Sequence, residues 1–336
     1  MTDRARLLTN FIQTAGWGDA ARVTIAGDAS NRRYERLTKP DASTLILMDA
    51  PAEKGEDVRP FIAIAEHLRG IGLSAPAIVN RDVKGGFLLI EDLGDDLFKQ
   101  VIAQDSTLEE PLYAAAIDVL TTLHAAPLPP LEAYDTATMT NFAARAYEWY
   151  LFGLTGVQDT PQEAEFKTQM AALLAPLETV SQVLIQRDYH AENLLWLPDR
   201  EGAARVGLLD FQDAMQGHAA YDLVSILQDA RRDVPPSIED AMIKRYLAQN
   251  PQDEDAFRAA YASLGLQRNL RILGAFARLC IVAGKPRYID LIPRVWEFVE
   301  RNLAHPALAP IAPHIRATLP PPTPDALTIL KSKCAA

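Results

Sequence analysis

Two short apolar segments that both run into acidic or amide side chains constrain the fold of this chain more than any other feature. The first, "SQVLIQRD" (181–188), ends at Asp188 and is followed by Asn193, and the second, "ARVGLLDF" (204–211), carries Asp210, 17 residues after Asn193. Short apolar runs bounded by polar residues are typical of strands. We therefore expect two strands separated by "ENLLWL", with these three polar side chains at strand ends.

The polar stretch that follows the first segment has three interpretations. Asp188, His190 and Glu192 are spaced by two, so in an extended segment they would point the same way and could bind a metal. Asp188 and Asn193 are five apart, the spacing of a kinase catalytic loop in which the Asp orients a hydroxyl and the Asn binds Mg²⁺. The third interpretation is a polar turn between strands.

The Asp210-Phe211 pair favours the kinase interpretation, because an Asp-Phe at the end of the next strand completes the layout of a phosphoryl-transfer site. Asp188 would then take the proton of the acceptor hydroxyl, while Asn193 and Asp210 would hold Mg²⁺ through oxygen ligands. The segment from about 212 to 304 has no further His-x-x-His or His-Glu pair. We therefore expect His190 to orient the loop rather than bind metal.

Composition and charge disfavour several classes of protein. The chain has 336 residues, of which 49% are hydrophobic, so it can bury a large core and form two domains or a two-lobed enzyme. Its net charge of −11 disfavours nonspecific binding to nucleic acid or anionic membranes. The sequence shows no signal-peptide pattern and no run of roughly 18 apolar residues. We expect a cytoplasmic monomer that binds small molecules.

The order of periodic segments predicts an α+β protein with two lobes. Alternating segments at 22–51 and 75–96 indicate strands joined by tight turns, with a helix at about 59–70 between them. Farther along the chain, apolar residues recur three and four apart, as in helices. The predicted organisation is a strand-rich lobe at 1–94, a hinge at about 91–97 and a mainly helical lobe at 95–336.

Two further expectations concern structure alone. Cys280 and Cys334 lie in no CxxC or zinc-type pattern, so no disulfide is expected and Cys280 should be a buried apolar residue. The proline-rich segment 305–324 is expected to lie extended over the surface, because proline interrupts helices.

The two motifs resemble those of the aminoglycoside phosphotransferase and choline kinase-like family. That family has His-x-Asp-x-x-x-x-Asn in its loop and Asp-x-Asp at the next strand end, and this chain has Arg187, Asp188 and Asn193, followed by "LLDFQDA". The resemblance spans nearly the whole chain and implies a protein-kinase-like fold with ATP and Mg²⁺ as cofactors. The stretches "GDASNRRYERL" and "RDYHAENLLWL" are most similar to bacterial kinases that phosphorylate N-acetylmuramate and N-acetylglucosamine at the anomeric hydroxyl, in peptidoglycan recycling.

The upstream segments then fall where the resemblance places ATP. Small residues in "AGDASNRRYERL" lie where a turn over the phosphates belongs, since small side chains let backbone N–H groups approach a phosphate. The stretch "EDLGDD" would be the hinge whose backbone meets adenine. The implied cofactor-binding residues are Gly27, Ala29, Ser30, Asn31, Arg32, Arg33, Glu91, Asp92 and Leu93.

One departure from the family pattern lies in "TLILMDAP", which has Met48 where typical kinases have their phosphate-contacting lysine. Either the protein is a pseudokinase or its positive charge comes from elsewhere. Alternation along the strand makes Arg32 or Arg33 the candidate to face the nucleotide, with Glu66 as its partner. The intact Asp188 and the two metal-binding side chains favour an active enzyme.

Candidate substrate-binding residues come from three places. Glu148, Trp149 and Tyr150 combine an aromatic face with a carboxylate, which suits a pyranose, and the alternative is a core helix. His190 and Asp213 complete the set.

Three other residues have predicted roles. Asp222 resembles the buried aspartate that braces the catalytic loop in kinase folds, with a helix N-cap as the alternative. Arg271 and Arg278 lie seven apart on one helix face and could attract a lactyl carboxylate, although we expect them to be solvated.

Two rival functions remain open at this point. A kinase of another small alcohol, of the aminoglycoside or choline type, would suit the acidic surface. A nucleotide-binding regulator without turnover would explain Met48.

Overall fold

The structure is a computed structural model that describes residues 3–25, 31–158 and 160–335. The predicted phosphate-turn residues Gly27, Ala29 and Ser30 lie outside the described residues. The chain divides into two compact units, which are described separately: Met1–Pro129 with Ala191–Ala214, and Pro130–His190 with Met215–Ala336. The predicted hinge at 91–97 falls within the first unit, and the lobe boundary near residue 94 stays a prediction.

The described elements follow the predicted order of strands and then helices. The strands are β1 (Ala21–Ile25), β2 (Arg33–Thr38), β3 (Thr44–Asp49), β4 (Ile78–Asp82), β5 (Phe87–Glu91), β6 (Gln182–Ile185), β7 (Leu194–Trp196), β8 (Val206–Leu208) and β9 (Met215–His218). The helices are α1 (Asp3–Thr14), α2 (Arg59–Gly70), α3 (Phe98–Gln104), α4 (Glu109–Ala125), α5 (Thr136–Arg145), α6 (Phe152–Thr155), α7 (Pro161–Leu174), α8 (Ala220–Leu227), α9 (Pro236–Gln249), α10 (Glu254–Ile281), α11 (Ile292–Leu303), α12 (Ala312–Thr318) and α13 (Pro324–Ser332).

The first unit is built on an antiparallel sheet with the strand order β1-β2-β3-β5-β4. Because side chains alternate along a strand, every second residue of the central strands enters a core beneath α1. That core consists of Leu8, Ile12, Leu37, Leu45, Leu47, Phe87 and Leu89. The intervening residues of β2 and β3 therefore point to the other face of the sheet, where Tyr34 pairs with Met48.

The second unit is organised around α10, a helix of 28 residues that packs against α5, α8 and α11. The short sheet of β6 and β9 leads into the polar loop at 186–190, with Gln182 opposite His218. Gly274 lets α10 approach α5 closely, because a Cβ at this position would lie 2.1 Å from the carbonyl oxygen of Arg145. The chain continues from Arg145 into a π-helical turn, Ala146–Leu151.

The C-terminal segment contradicts two expectations. Residues 305–324 contain short helices rather than an extended chain, because their prolines occupy first-turn positions, where the missing N–H has no intrahelical partner to lose. Leu308 and Ile315 are fully buried there. Cys280 is buried as expected, but it forms a disulfide with Cys334, which lies beyond the end of α13. The disulfide joins the C-terminal tail to the central helix α10.

Within residues 3–25, 31–158 and 160–335, no helix combines the length and apolarity that crossing a bilayer requires.

We predict that Cys334→Ser lowers the free energy of unfolding by about 2–4 kcal/mol, because a disulfide restricts the unfolded chain. Denaturant unfolding of the variant and the wild type measures this difference. Thiol titration of the unreduced, denatured wild type should detect no free thiol, and two reactive thiols would contradict the pairing.

Candidate active site

The loop after β6 is held by the buried carboxylate of Asp222. This side chain is fully buried on α8 and accepts hydrogen bonds from the backbone N–H groups of Gln186 (2.6 Å) and Arg187 (2.9 Å). Arg187 has φ 71°, a left-handed conformation that non-glycine residues seldom adopt. The hydroxyl of Ser225 donates to the Arg187 carbonyl (3.2 Å), and Arg268 donates to Ser225 Oγ (2.8 Å). The predicted bracing role of Asp222 is confirmed.

Asp188 follows this braced turn, and its side chain is 31% exposed. Its Oδ1 lies 4.0 Å from Nη2 of Arg271. Burial opposes ionisation of Asp188, but the positive charges of Arg271 and Arg268 outweigh it and hold its pKa below the usual 3.8. Asp188 is therefore a carboxylate at neutral pH, able to accept a hydrogen bond from a hydroxyl group.

His190 is 6% exposed, and its Nε2 lies 3.4 Å from Nη1 of Arg231. This burial favours the predicted loop-orienting role over direct contact with a substrate. Glu192, the third member of the metal hypothesis, forms an ion pair with Lys99 (2.8 Å). Among the described residues, no three His, Cys, Asp or Glu side chains converge as a metal site.

In the first unit, Asn193 and Asp210 flank the β7–β8 hairpin. The backbone N–H of Leu209 donates to the Asn193 carbonyl (3.0 Å), which holds the two ends together. Nδ2 of Asn193 lies 3.5 Å from Oδ2 of Asp210, and Gln212 donates to Oδ1 of Asp210 (2.7 Å). Asp210 has φ 56°, and Phe211 packs on Phe61 of α2 with ring centroids 4.9 Å apart. The predicted pair of oxygen ligands thus lies together at one end of the hairpin.

Tyr34, on the sheet face opposite α1, connects Arg32 with Asp210. Arg32 directly precedes β2, is 11% exposed at its side chain and pairs with Glu56 (2.8 Å). Burial raises the pKa of Tyr34, Arg32 opposes that rise and the negative charge of Asp210 adds to it, so Tyr34 interacts with both side chains. A largely buried cation therefore shares Tyr34 as a neighbour with Asp210.

Arg33 points to the other face of the sheet, which argues against its predicted contact with the nucleotide. It alternates with Arg32, pairs with Asp49 (2.6 Å) beside α1, and is 62% exposed. Asn31 lies with Arg32, since its backbone N–H donates to the Glu56 carboxylate (3.0 Å).

The prediction that Glu66 pairs with Arg32 or Arg33 is wrong. Glu66 pairs with Arg81 (3.1 Å), and both side chains are more than half exposed. Met48 lies opposite Tyr34 in the strand register and is fully buried.

The two acidic side chains at the start of the predicted hinge form ion pairs with arginines. Glu91 pairs with Arg200 (2.6 Å), and Asp92 pairs with Arg36 (2.7 Å). Leu93 is 9% exposed. Only the backbone of this segment is suited to meet adenine, as the sequence interpretation requires, and the contact itself stays a prediction.

An arginine cluster surrounds Phe142 in the second unit. The guanidinium carbons of Arg145, Arg187 and Arg271 lie 4.4, 5.6 and 5.5 Å from the centre of the Phe142 ring. Arg271 also donates to the hydroxyl of Tyr221 (3.0 Å) and is only 16% exposed. The expectation that Arg271 is solvated is therefore wrong, because the close approach of α10 at Gly274 presses this face against α5, whereas Arg278 is exposed as expected.

The three sugar-site candidates on the π-helical turn divide into two groups. Tyr150 is fully buried and donates its hydroxyl to the Pro320 carbonyl (2.8 Å), so it is a core residue, and its assignment to a sugar site is corrected. Glu148 and Trp149 are half-buried, and Arg278 lies over the Trp149 ring at 5.7 Å. These two remain candidates, and so does Asp213, which is exposed.

Comparison with known proteins decides the family. The profile described as "phosphotransferase enzyme family" matches residues 22–260. The chain belongs to this family. A relative named N-acetylmuramate/N-acetylglucosamine kinase, from Caulobacter vibrioides, is 41% identical over 345 aligned residues, covering 92% of this chain and 94% of the relative.

Solved structures of this phosphotransferase family share the fold. A choline/ethanolamine kinase family protein from Mesorhizobium loti matches with a TM-score of 0.62 at 12% identity, over 98% of this chain and 99% of that chain. ADP-bound aminoglycoside phosphotransferase APH(2'')-Ib matches with a TM-score of 0.57 at 15% identity, over 89% and 97% of the two chains. The predicted α+β, kinase-like fold is confirmed.

The sequence interpretation missed several residues of this phosphotransferase site. Glu56 and Tyr34 lie in no recognisable sequence motif. The spacing of two between Arg32 and Tyr34 was a usable signal that their side chains point to the same side. Arg145 and Phe142 lie three apart on α5, and this helical spacing was a usable signal for a shared face.

We predict that Asp222→Ala costs about 2–6 kcal/mol of stability, since two buried N–H groups lose their acceptor at about 1–3 kcal/mol each. Chemical denaturation measures the loss, and kinase activity should fall with it. Asp233→Ala is the control, because Asp233 is 83% exposed in its pair with Arg294 and should cost at most about 1 kcal/mol. Equal stability of the two variants would contradict the bracing role.

Proposed function

We propose that this protein is an ATP-dependent kinase that phosphorylates the anomeric hydroxyl of N-acetylmuramate and N-acetylglucosamine, giving the sugar 1-phosphate. The observation that carries this proposal is Asp188, an ionised, partly exposed carboxylate on a braced loop, beside Arg271. The 41% identical relative from Caulobacter vibrioides, an N-acetylmuramate/N-acetylglucosamine kinase, supports the choice of acceptor.

Asp188 provides the acceptor side of the reaction. Its carboxylate accepts a hydrogen bond from the sugar hydroxyl, which aligns the oxygen for attack on the γ-phosphorus. As the new P–O bond forms, the bond from the γ-phosphorus to the bridging oxygen of ADP breaks, and the hydroxyl proton passes to Asp188. A carboxylate with a low pKa is a weak base, so its main contribution is orientation, with the proton transferred late.

The nucleotide side is assigned to residues of the first unit. Arg32, held by Glu56, would contact the ATP phosphates in place of the strand lysine that Met48 replaces. Asn193 and Asp210 present an amide and a carboxylate side by side, and these two side chains would hold Mg²⁺ through their oxygen atoms. Bound Mg²⁺ would neutralise charge on the phosphates.

The cellular setting is also a proposal. A kinase that uses ATP and an amino sugar freed from the cell wall would act in the cytoplasm, in peptidoglycan recycling. Small molecules would be its partners, and a monomer suffices for this chemistry. The rival acceptors, aminoglycosides and choline, carry positive charge, and the arginines that act on Asp188, chiefly Arg271 and Arg268, disfavour cationic ligands there.

Phosphorus NMR tests the proposed reaction. Wild type with ATP, Mg²⁺ and either sugar should give an anomeric phosphate doublet, and Asp188→Asn should reduce its rate of formation by at least about 100-fold, since general base catalysis contributes at this level. ATP binding without transfer to any sugar would indicate a regulator, and transfer only to a cationic alcohol would contradict the proposed acceptor.

We predict that Arg32→Gln lowers kcat/KM for ATP by about 10- to 100-fold, as expected for loss of a charge-assisted hydrogen bond to phosphate. Steady-state kinetics at saturating sugar measure the change. Arg33→Gln is the matched control, because Arg33 is adjacent in sequence but lies on the opposite sheet face, and it should change kcat/KM by about twofold or less. The reverse ranking would show that the sheet faces are misassigned.

A further inference from the structure

An arginine cluster surrounds the Phe142 ring. Three guanidinium groups lie within 5.6 Å of the ring centre. Asp188 lies 4.0 Å from Arg271, and the negative charge of Glu148 acts on Arg145. This local concentration of positive charge contrasts with a chain whose net charge is −11.

Arg145 is the member of the cluster that is affected by the positive charge of Arg271. Burial and the positive charge of Arg271 lower its pKa, and Glu148 compensates only in part. Its guanidinium carbon lies 4.4 Å from the Phe142 ring, which fixes one face of the planar group and leaves its edge to donate hydrogen bonds. Gly274 keeps this arrangement tight, because any side chain there would collide with the Arg145 backbone.

A guanidinium group packed on an aromatic ring is a receptor for a carboxylate. Arginine donates two parallel hydrogen bonds to a carboxylate, and partial burial strengthens them relative to water. Arg145 and Arg271 lie near the same ring, and Arg271 also lies near Asp188. An anion bound by Arg145 would therefore be separated from Asp188, which orients the acceptor hydroxyl, by the Arg271 side chain.

The two proposed sugars differ in this one chemical group. N-acetylmuramate carries a lactyl ether on carbon 3, two carbons from the anomeric carbon, and the lactyl group ends in a carboxylate. N-acetylglucosamine has a hydroxyl there. The reacting hydroxyl and this carboxylate therefore lie on different sides of one pyranose ring. In the protein, Arg271 lies 4.0 Å from Asp188 and shares the Phe142 ring with Arg145, so both groups of the sugar have a candidate partner in one region.

We propose that Arg145, supported by Arg271 on the Phe142 ring, binds the lactyl carboxylate and sets the preference for N-acetylmuramate over N-acetylglucosamine. This inference rests on the proposed function, since it names a selectivity residue for the same reaction. Arg145 is a specificity residue, and the hydroxyl chemistry remains with Asp188.

The test compares the ratio of kcat/KM for N-acetylmuramate to kcat/KM for N-acetylglucosamine. Arg145→Gln should lower this ratio about 10- to 100-fold, the loss expected for one charge-assisted pair. Arg145→Lys, which keeps the charge without the planar fork, should give an intermediate ratio. Arg258→Gln is the control on α10, the helix that carries Arg271. Arg258 pairs with Glu254 and Asp240 near the start of that helix, so its substitution should leave the ratio unchanged.

A substrate analogue tests the inference without any substitution. The lactyl amide of N-acetylmuramate keeps the shape of the substrate but has no charge at this position, and wild type should use it about 10- to 100-fold less efficiently than the acid. An unchanged ratio in Arg145→Gln, or equal use of amide and acid by wild type, would overturn the inference alone. Wild type that phosphorylates neither sugar would overturn the proposed function as well.

Discussion

The two hydrogen bonds from the backbone of Gln186 and Arg187 to Asp222 are the interaction on which the catalytic half of this protein depends. Arg187 must adopt a left-handed conformation for the chain to turn from β6 into the loop, and a non-glycine residue holds that conformation only when its surroundings enforce it. Asp222, Ser225 and Arg268 provide this enforcement from neighbouring helices. The position of Asp188, one residue later, follows from it.

Arginine supplies the positive charge at both functional regions. In the first unit, Arg32 is held by Glu56 and interacts with Tyr34, which is also affected by the charge of Asp210. In the second, Arg271 lowers the pKa of Asp188 and shares the Phe142 ring with Arg145. Arginine keeps its charge when partly buried and presents donors in a fixed plane, which suits recognition of phosphate and carboxylate groups. Local groups of arginines therefore allow a protein with a net negative charge to bind anionic ligands at these two regions.

Much of the fold and part of the site could be predicted from the sequence because their signals are local. Strand alternation and helical periodicity report burial within a few residues, which is why α2 begins and ends as expected. Asn193 and Asp210 could be placed together because a short hairpin joins them. Arg32 pairs with Glu56 rather than Glu66 because the loop before α2 lies next to Arg32. This is a tertiary contact, and the local sequence pattern does not predict it.

Packing of distant helices explains most of the remaining differences. Arg271 was predicted to be solvated because the sequence does not show which face of α10 packs against α5. The close contact of Gly274 with Arg145 fixes that face. The disulfide between Cys280 and Cys334 depends on the tail returning to α10, a contact between segments far apart in the chain. Prolines in 305–324 were interpreted as helix breakers, whereas the same residues start short helices when they occupy the first turn.

A crystal structure of the complex with a non-hydrolysable ATP analogue, Mg²⁺ and N-acetylmuramate would show where the sugar hydroxyl lies relative to Asp188. We expect the anomeric oxygen within hydrogen-bond distance of the Asp188 carboxylate, on a loop whose backbone N–H groups still donate to Asp222. A sugar bound with its anomeric oxygen away from Asp188, or a loop released from Asp222 in the complex, would contradict this expectation.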